Sequence, residues 1–409
     1  LGYIAKNEPE TVKKNIVNVA EYGRFDDLLV LIGTPCERAL IEYYKEQLDR
    51  DLNAMEQGGS VSLLAKWLPS INTSNREAVR NARVIARGFG FTDAEYRKTL
   101  SVLRSYIKIL ENNLRERDYT FQYEKQPSKA LYKYRKAFIR NDSNRYGRFI
   151  RAAEQNPGLL KTETLTPYDV IAPIISKMVY GDGVDEDERR TMDVTWNSLE
   201  DFTGSDNSIA VVDGSGSMYY QYRGYSGFPA AVAQSLGIYF AERNKGAFGG
   251  RFITFSENPQ LVEVKGRDIV EKVRYCMSYD ECANTNIAAT FDLILDTAVA
   301  NNLGQEDIPE TIYIISDMEF DCCAEDSSLT NFEAARIKFE MYGYKLPQIV
   351  FWNVDNRNRQ QPVTMNETGT VLVSGCSPRI FSMIDKGTLD PYSFMMDVIM
   401  SGRYDRIVA

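Results

Sequence analysis

The 409-residue sequence contains no histidine. That absence excludes imidazole general bases, Ser-His-Asp hydrolases and every His-ligated zinc or iron site. Cysteine is scarce. Cys36, Cys276, Cys282, Cys322, Cys323 and Cys376 include no C-x-x-C pair and make no disulfide framework. They are read as reduced thiols of a cytoplasmic protein, the adjacent Cys322 and Cys323 included. No apolar run approaches the roughly 18 residues a membrane helix needs. The opening LGYIAKNEPE has no signal-peptide pattern, and it begins on Leu rather than Met, so a trimmed N-terminus is expected. Any metal must therefore be held by oxygen ligands or by cysteine.

What is present is ordinary for a soluble globular protein: 44% apolar and 26% charged residues. The length exceeds what one core usually serves, so two domains are expected. Charge is uneven. The chain carries a net −9, yet Ser60 to Arg151 holds 20 Lys and Arg against 8 Asp and Glu, a local balance of +12. That asymmetry points to a basic surface on one domain.

The first 200 residues read as helical. Leu40, Tyr44, Leu48 and Leu52 recur every four residues in Glu37 to Glu56. REAVRNARVIARGFG makes a second helix, stopping at Gly88 or Gly90. TDAEYRKTLSVLRSYIKILENNL makes a third, with Thr92 and Glu95 at capping-box spacing. SKALYKYRKAFIRND makes a fourth. A fifth starts at Thr166-Pro167 and runs through YDVIAPIISKMVY. Paired helices suggest a repeat array, although no clean period is found and an irregular bundle fits equally. The acidic stretch 181–190 reads as a loop or linker. From about Asn207, short apolar strands (SIAVVD, RFITF, TIYIISD, PQIVFWNV, TVLVSG) alternate with helices. That pattern indicates a doubly wound parallel sheet. The expected architecture is multidomain α plus α/β: a HEAT-like helical domain at 1–204 and a Rossmann-like sheet domain at 205–409.

Three loops at one edge of that sheet carry oxygen ligands. AVVDGSGSMY supplies Asp213, Ser215 and Ser217, CANTNIAATF supplies Thr285, and YIISDMEFD supplies Asp317. In such sheets ligands bind at the carboxyl ends of the strands. A lone D-x-S-x-S occurs by chance, and Ser and Asp often cap helices. The Thr and the second Asp at matching strand ends make an ion site the better reading. Two carboxylates and three hydroxyls suit Mg²⁺ first, with Mn²⁺ or Ca²⁺ as alternatives.

The DGSGSM, ANTN and IISDMEFD segments resemble the metal-ion-dependent adhesion site (MIDAS) of von Willebrand factor A-type (vWA) domains. The resemblance implies Ser215, Ser217 and Thr285 as hydroxyl ligands and Asp213 and Asp317 as aspartates acting directly or through water. Ala283-Asn284 stands where that family often has glycines. With SLLAKWLPS, QPSKALYKYRKAF, FAERNKGAF, LPQIVFWNV and LVSGCSP, nearly the whole chain resembles the DUF2828-type family of unknown function. More distantly it is similar to the Ro autoantigen (TROVE) family, in which a ring of HEAT-like helices precedes a vWA domain. That likeness implies binding of small structured RNAs or of single-stranded RNA ends.

Between Arg97 and Arg151, basic residues interleave with aromatics. Lys129, Lys133, Arg135, Lys136, Arg140, Arg145 and Arg148 are candidate RNA contacts. The competing reading is a solvated basic face over a buried aromatic stripe. Three functions follow. One is a ribonucleoprotein-type RNA binder with a cation-dependent docking domain. Another is a protein scaffold whose ion accepts a partner's acidic residue. The last is a metal-dependent hydrolase, disfavoured because the motifs hold no histidine and no second-metal cluster.

Overall fold

The computed structural model describes residues 1–107, 109–201, 207–220, 227–279, 286–317, 327–354, 370–374 and 391–408. The chain divides into two compact units, one made of 1–121 and 395–409 and the other of 122–394.

The first unit is helical. It contains α1 (Gly2–Asn7), α2 (Pro9–Tyr22), α3 (Glu37–Glu56), α4 (Leu64–Trp67), α5 (Arg76–Gly88), α6 (Asp93–Tyr106) and α7 (Leu110–Glu116). Leu40, Tyr44 and Leu48 of α3 are fully buried, as their spacing requires. Asn75 caps α5 by accepting from the N–H groups of Glu77 (3.0 Å) and Ala78 (3.1 Å). Beyond the helix end, Gly90 adopts φ +73°, the left-handed turn that favours glycine. Thr92 and Glu95 form the expected capping box. The third expected helix is broken in two, however. The Asn112 side chain donates to the carbonyls of Arg104 (2.7 Å) and Ile107 (2.9 Å). It takes up acceptors exposed at the end of α6 and stabilises the break.

The second unit combines helices with a sheet. Its elements begin with α8 (Ser128–Asn141), α9 (Ser143–Gln155), α10 (Pro167–Val179), α11 (Glu186–Asn197), β1 (Ser208–Val212) and α12 (Pro229–Arg243). They continue through β2 (Arg251–Thr254), β3 (Leu261–Glu263), α13 (Ile269–Cys276), α14 (Ile287–Ala300) and β4 (Thr311–Ser316). Then come α15 (Ser327–Met341), β5 (Gln348–Asn353) and β6 (Thr370–Ser374), followed in the chain by a helix over Pro391–Ile399. The strand order is β3-β2-β1-β4-β5-β6. All neighbours are parallel except β2–β3, so the sheet is mixed rather than wholly parallel. The antiparallel β3 was not anticipated; its three residues are too short to show alternation.

Strand side chains alternate between two cores. Ala210, Val212, Tyr313, Ile315 and Trp352 pack with α12 and α13, whereas Ile209, Val211, Ile312, Ile314 and Phe351 pack with α14. Gly237 lets α12 approach the sheet, since a Cβ there would lie 2.4 Å from Val212 Cγ2. Val170, Ile171, Ile174 and Ile175 of α10 and Met192 and Trp196 of α11 join the first core. These helices are therefore continuous with the sheet's own packing.

The acidic stretch 181–190 is only partly a loop. Asp185 caps α11 by accepting from the Glu188 N–H at 2.8 Å, and the helix starts at Glu186. Acidic residues at a helix start offset its macrodipole, which is the physical reason for so acidic a run here. α11 is tied to the sheet side of the unit. Arg189 reaches Asp268 at 2.5 Å and Glu271 at 3.2 Å, Asp193 accepts from the Ile269 N–H at 2.8 Å, and Trp196 Nε1 donates to Glu242 at 2.6 Å.

Candidate functional site

The strand order reverses between β1 and β4. β2 and β3 lie beyond β1, while β5 and β6 lie beyond β4. A doubly wound sheet opens a crevice at such a point, outside the carboxyl ends of the two strands. Asp213 directly follows β1 and Asp317 directly follows β4. Their strands are in register, Val212 opposite Ile315, and the Asp213 N–H extends the ladder to the Ile315 carbonyl at 3.1 Å. Both carboxylates are buried, Asp213 being 6% and Asp317 3% exposed.

The Asp213 carboxylate is held from two sides. Oδ1 accepts from the Ser215 N–H at 2.9 Å and Oδ2 from Ser316 Oγ at 2.6 Å. Each oxygen still has acceptor capacity. The loop then enters a short 3-10 turn, Gly216–Tyr219. Ser215 Oγ and Ser217 Oγ lie 3.0 Å apart, both half-buried. Two hydroxyls and an oriented carboxylate thus share one loop beside a second carboxylate.

Burial raises the Asp213 pKa above its ordinary value; hydrogen bonds from Ser316 and Ser215 oppose the rise, and the Asp317 charge adds to it. A bound cation would supply the counter-charge this arrangement calls for. The donor set is carboxylate and hydroxyl oxygen, which suits Mg²⁺, Mn²⁺ or Ca²⁺. The residues present fit a hard divalent ion.

Thr285 lies outside the described residues. Asn286, next in sequence, caps α14 by accepting from the Ala289 N–H at 3.0 Å, and its own N–H donates to the Ser256 carbonyl, just past β2, at 3.4 Å. Cys282, Cys322, Cys323 and Cys376 also lie outside the described residues. Cys36 and Cys276 are buried free thiols, and burial pushes the Cys276 thiol up to about 12. Among the described residues no three His, Cys, Asp or Glu side chains converge as a metal cluster.

Ser316 is a site residue that the motif reading missed. Its signal was available, since a hydroxyl at the end of an otherwise apolar buried strand needs a partner. Its partner is Asp213.

The basic candidates do not form one face. Arg135 is 6% exposed and pairs with Glu188 through Nη2 (2.8 Å) and Nε (3.1 Å), while Nη1 donates to the Tyr132 carbonyl at 2.8 Å. Lys177 reaches the other Glu188 oxygen at 2.5 Å. Arg135 is therefore a packing residue joining α8 to α11, unavailable to a ligand on the surface. Lys129 pairs with Asp169 at 3.1 Å and Arg145 with Asp142 at 3.3 Å. Lys133, Lys136, Arg140 and Arg148 are exposed. Lys133 lies 5.0 Å from the Tyr134 ring centre and Arg148 Nε donates to the Asn144 carbonyl at 3.3 Å.

Fold and site together define a class: a helical region followed by a doubly wound sheet with carboxylates and hydroxyls at its switch point. Comparison with known proteins shows the resemblance to the DUF2828-type family. Residues 89–202 match the model described as "Domain of unknown function (DUF2828)". Residues 207–395 match "Domain of unknown function (DUF7788)". The chain is 29% identical over 417 residues to an uncharacterised protein of Acanthamoeba polyphaga mimivirus, covering 93% of this chain and 71% of that protein. The crystal structure of the Deinococcus radiodurans RO (RSR) protein aligns with TM-score 0.47 and 14% identity, covering 86% of this chain and 77% of that one. No helix among the described residues is long and apolar enough to cross a membrane.

Proposed function

We propose that the chain is a non-catalytic, Ro/TROVE-like binding protein whose vWA-type sheet domain holds a divalent cation, Mg²⁺ first, to dock an acidic residue of a protein partner. The observation that carries this reading is the placement of Asp213 and Asp317 side by side, buried, at the switch point of the sheet. Asp213, Ser215, Ser217 and Asp317 would hold the ion, and Thr285 would complete the set. Two protein carboxylates match the charge of a divalent ion, and the hydroxyl ligands add none, so the ion keeps its Lewis acidity and an open position that a partner's carboxylate would fill. Hydrolysis is the weaker reading because the sequence holds no imidazole to act as base.

The test is uptake of Mn²⁺ by the intact chain, followed by the loss of the free-ion paramagnetic resonance signal. Wild type is expected to deplete that signal, and Asp213→Ala and Asp317→Asn to leave it. Saturation at a hundred times Kd should also add about 2.7 kcal/mol to wild-type stability. Equal uptake by all three proteins would refute the site.

A second reading places RNA on α8 and α9. The exposure of Lys133, Lys136, Arg140 and Arg148 supports it. Charge reversal of these four to Glu should abolish a gel shift with structured RNA at low salt. An unchanged shift would remove this face from the interaction.

A further inference from the structure

Helix α5 carries Arg76, Arg80, Arg83 and Arg87 in steps of four, three and four. Those steps place all four on one side of a helix. All four are exposed, while Ala82, Ile85 and Ala86 are buried in the core of the first unit. The helix is fixed by its apolar side and presents arginine on the other. The four arginines line a groove of about 440 Å³ together with Thr73, Ser74 and the half-buried Val79 and Val84. No carboxylate lines it. At about 1.5 Å of rise per residue, Arg76 to Arg87 spans roughly 16 Å.

The acidic side chains nearest this row are weak competitors. Glu77 reaches Arg80 at 4.0 Å and Asp93 reaches Arg83 at 3.3 Å, each side chain at least half exposed. Exposed pairs of this kind are readily exchanged for a stronger acceptor. Arg76 and Arg87 make no ion pair among the described residues.

We propose that this groove binds the phosphodiester backbone of a single-stranded nucleic acid without reading its bases. Arginine presents a fork of donors that matches phosphate oxygens. Four forks in a row suit a linear chain of phosphates better than one small anion. No aromatic ring lines the groove, so it offers no stacking platform for base recognition. A membrane-binding helix would set large exposed apolar side chains beside its cations. Between the arginines α5 has only the half-buried Val79 and Val84. The proposal rests on the RNA reading above and adds to its α8 and α9 face a second contact on α5, for single strands.

The test is fluorescence anisotropy of a short labelled oligouridylate with the intact chain across a salt series. Each phosphate neutralised on a single strand contributes about −0.7 to the slope of log K against log salt. The variant Arg76→Gln, Arg80→Gln, Arg83→Gln, Arg87→Gln should therefore have a slope shallower by about 2.8 and lose on the order of tenfold or more in affinity at low salt. If that variant fails to fold, Arg76→Gln with Arg87→Gln should give half the change in slope, about 1.4. Unchanged binding in the α5 variants, with loss on charge reversal of α8, overturns the groove and leaves the RNA reading standing. No binding of oligouridylate or structured RNA by wild type at low salt overturns both. Binding to phosphatidylserine vesicles but not to the oligonucleotide overturns the proposal in favour of a membrane surface.

Discussion

Helices α5 and α8 are both rich in cations, yet they use them oppositely. Every arginine of α5 has another arginine three or four positions away, and all four are exposed. Arg135 of α8 has Leu131, Tyr132 and Phe138 at those spacings, and all three are buried. Arg135 is carried inward on the apolar stripe. Burying a guanidinium is tolerable only with a paired carboxylate and satisfied donors. Glu188 and the Tyr132 carbonyl meet that need, and the guanidinium carbon lies 4.3 Å from the Tyr132 ring centre. Local charge density therefore does not identify a binding face. What a cation has for neighbours three and four residues away does.

The sharpest way to break this comparison is to remove Glu188. Its side chain is 1% exposed and answers both Arg135 and Lys177. Glu188→Ala leaves Arg135 buried without its carboxylate, so stability should fall by about 3–5 kcal/mol. Urea denaturation of the intact chain measures it. A loss below about 1 kcal/mol would mean that water reaches the guanidinium and that Arg135 behaves as a surface residue. The companion experiment replaces the whole network: Arg135→Met, Lys177→Met and Glu188→Leu together. With no charge left stranded, this triple variant should lie within about 1 kcal/mol of wild type or above it. A triple variant as unstable as Glu188→Ala would assign the loss to packing instead.

The two helices also show what sequence could reveal. The caps at Thr92, Thr166 and Asn75 lie in local patterns, and the first two were legible from the chain alone. The sheet was legible because its strands are apolar on both faces. The placement of Asp213 and Asp317 at one edge of the sheet was legible because each directly follows such a strand. Three features were not. The break between α6 and α7 is stabilised by one side chain, Asn112, donating to backbone carbonyls of the helix end, which no local pattern marks. The start of α11 inside the acidic run was hidden because capping acids and linker acids have the same composition. The burial of Arg135 depends on Glu188, 53 residues away, and no local pattern announces a partner at that distance.

An ion pair nearer the surface gives a smaller effect with a defined pH window. Hydrogen bonds from Arg267 and its N–H, and then from Arg189, hold the Glu271 carboxyl at about 2 against an ordinary 4.5. A carboxyl depressed on folding contributes stability that is present above its unfolded value and lost as pH falls through its folded value. Acid should therefore weaken wild type progressively between about pH 4.5 and about pH 2 through this group. Glu271→Gln should flatten that part of the curve of melting temperature against pH and leave its neutral part less stable. Because the Arg267 side chain is 88% exposed, added salt should shrink the difference. An identical acid limb in both proteins would show that the pair does not persist in solution.

The smallest expected change belongs to the arginines of α5. Arg76 and Arg87 make no ion pair among the described residues and contribute no buried side chain. Arg76→Gln with Arg87→Gln should shift stability by no more than about 0.5 kcal/mol. Their value lies in a charge held out to solvent at no structural cost, so folding should not register its removal. Arg135→Gln, the same chemical change on α8, strands Glu188 with Lys177 alone and should destabilise by several-fold more. If the α5 pair proved as costly as Arg135→Gln, the arginine row would be part of the first unit's packing and the groove would lose its claim to an open surface. If it is silent in urea yet visible in oligonucleotide binding, one type of side chain serves folding in α8 and recognition in α5, and position within the helix decides which.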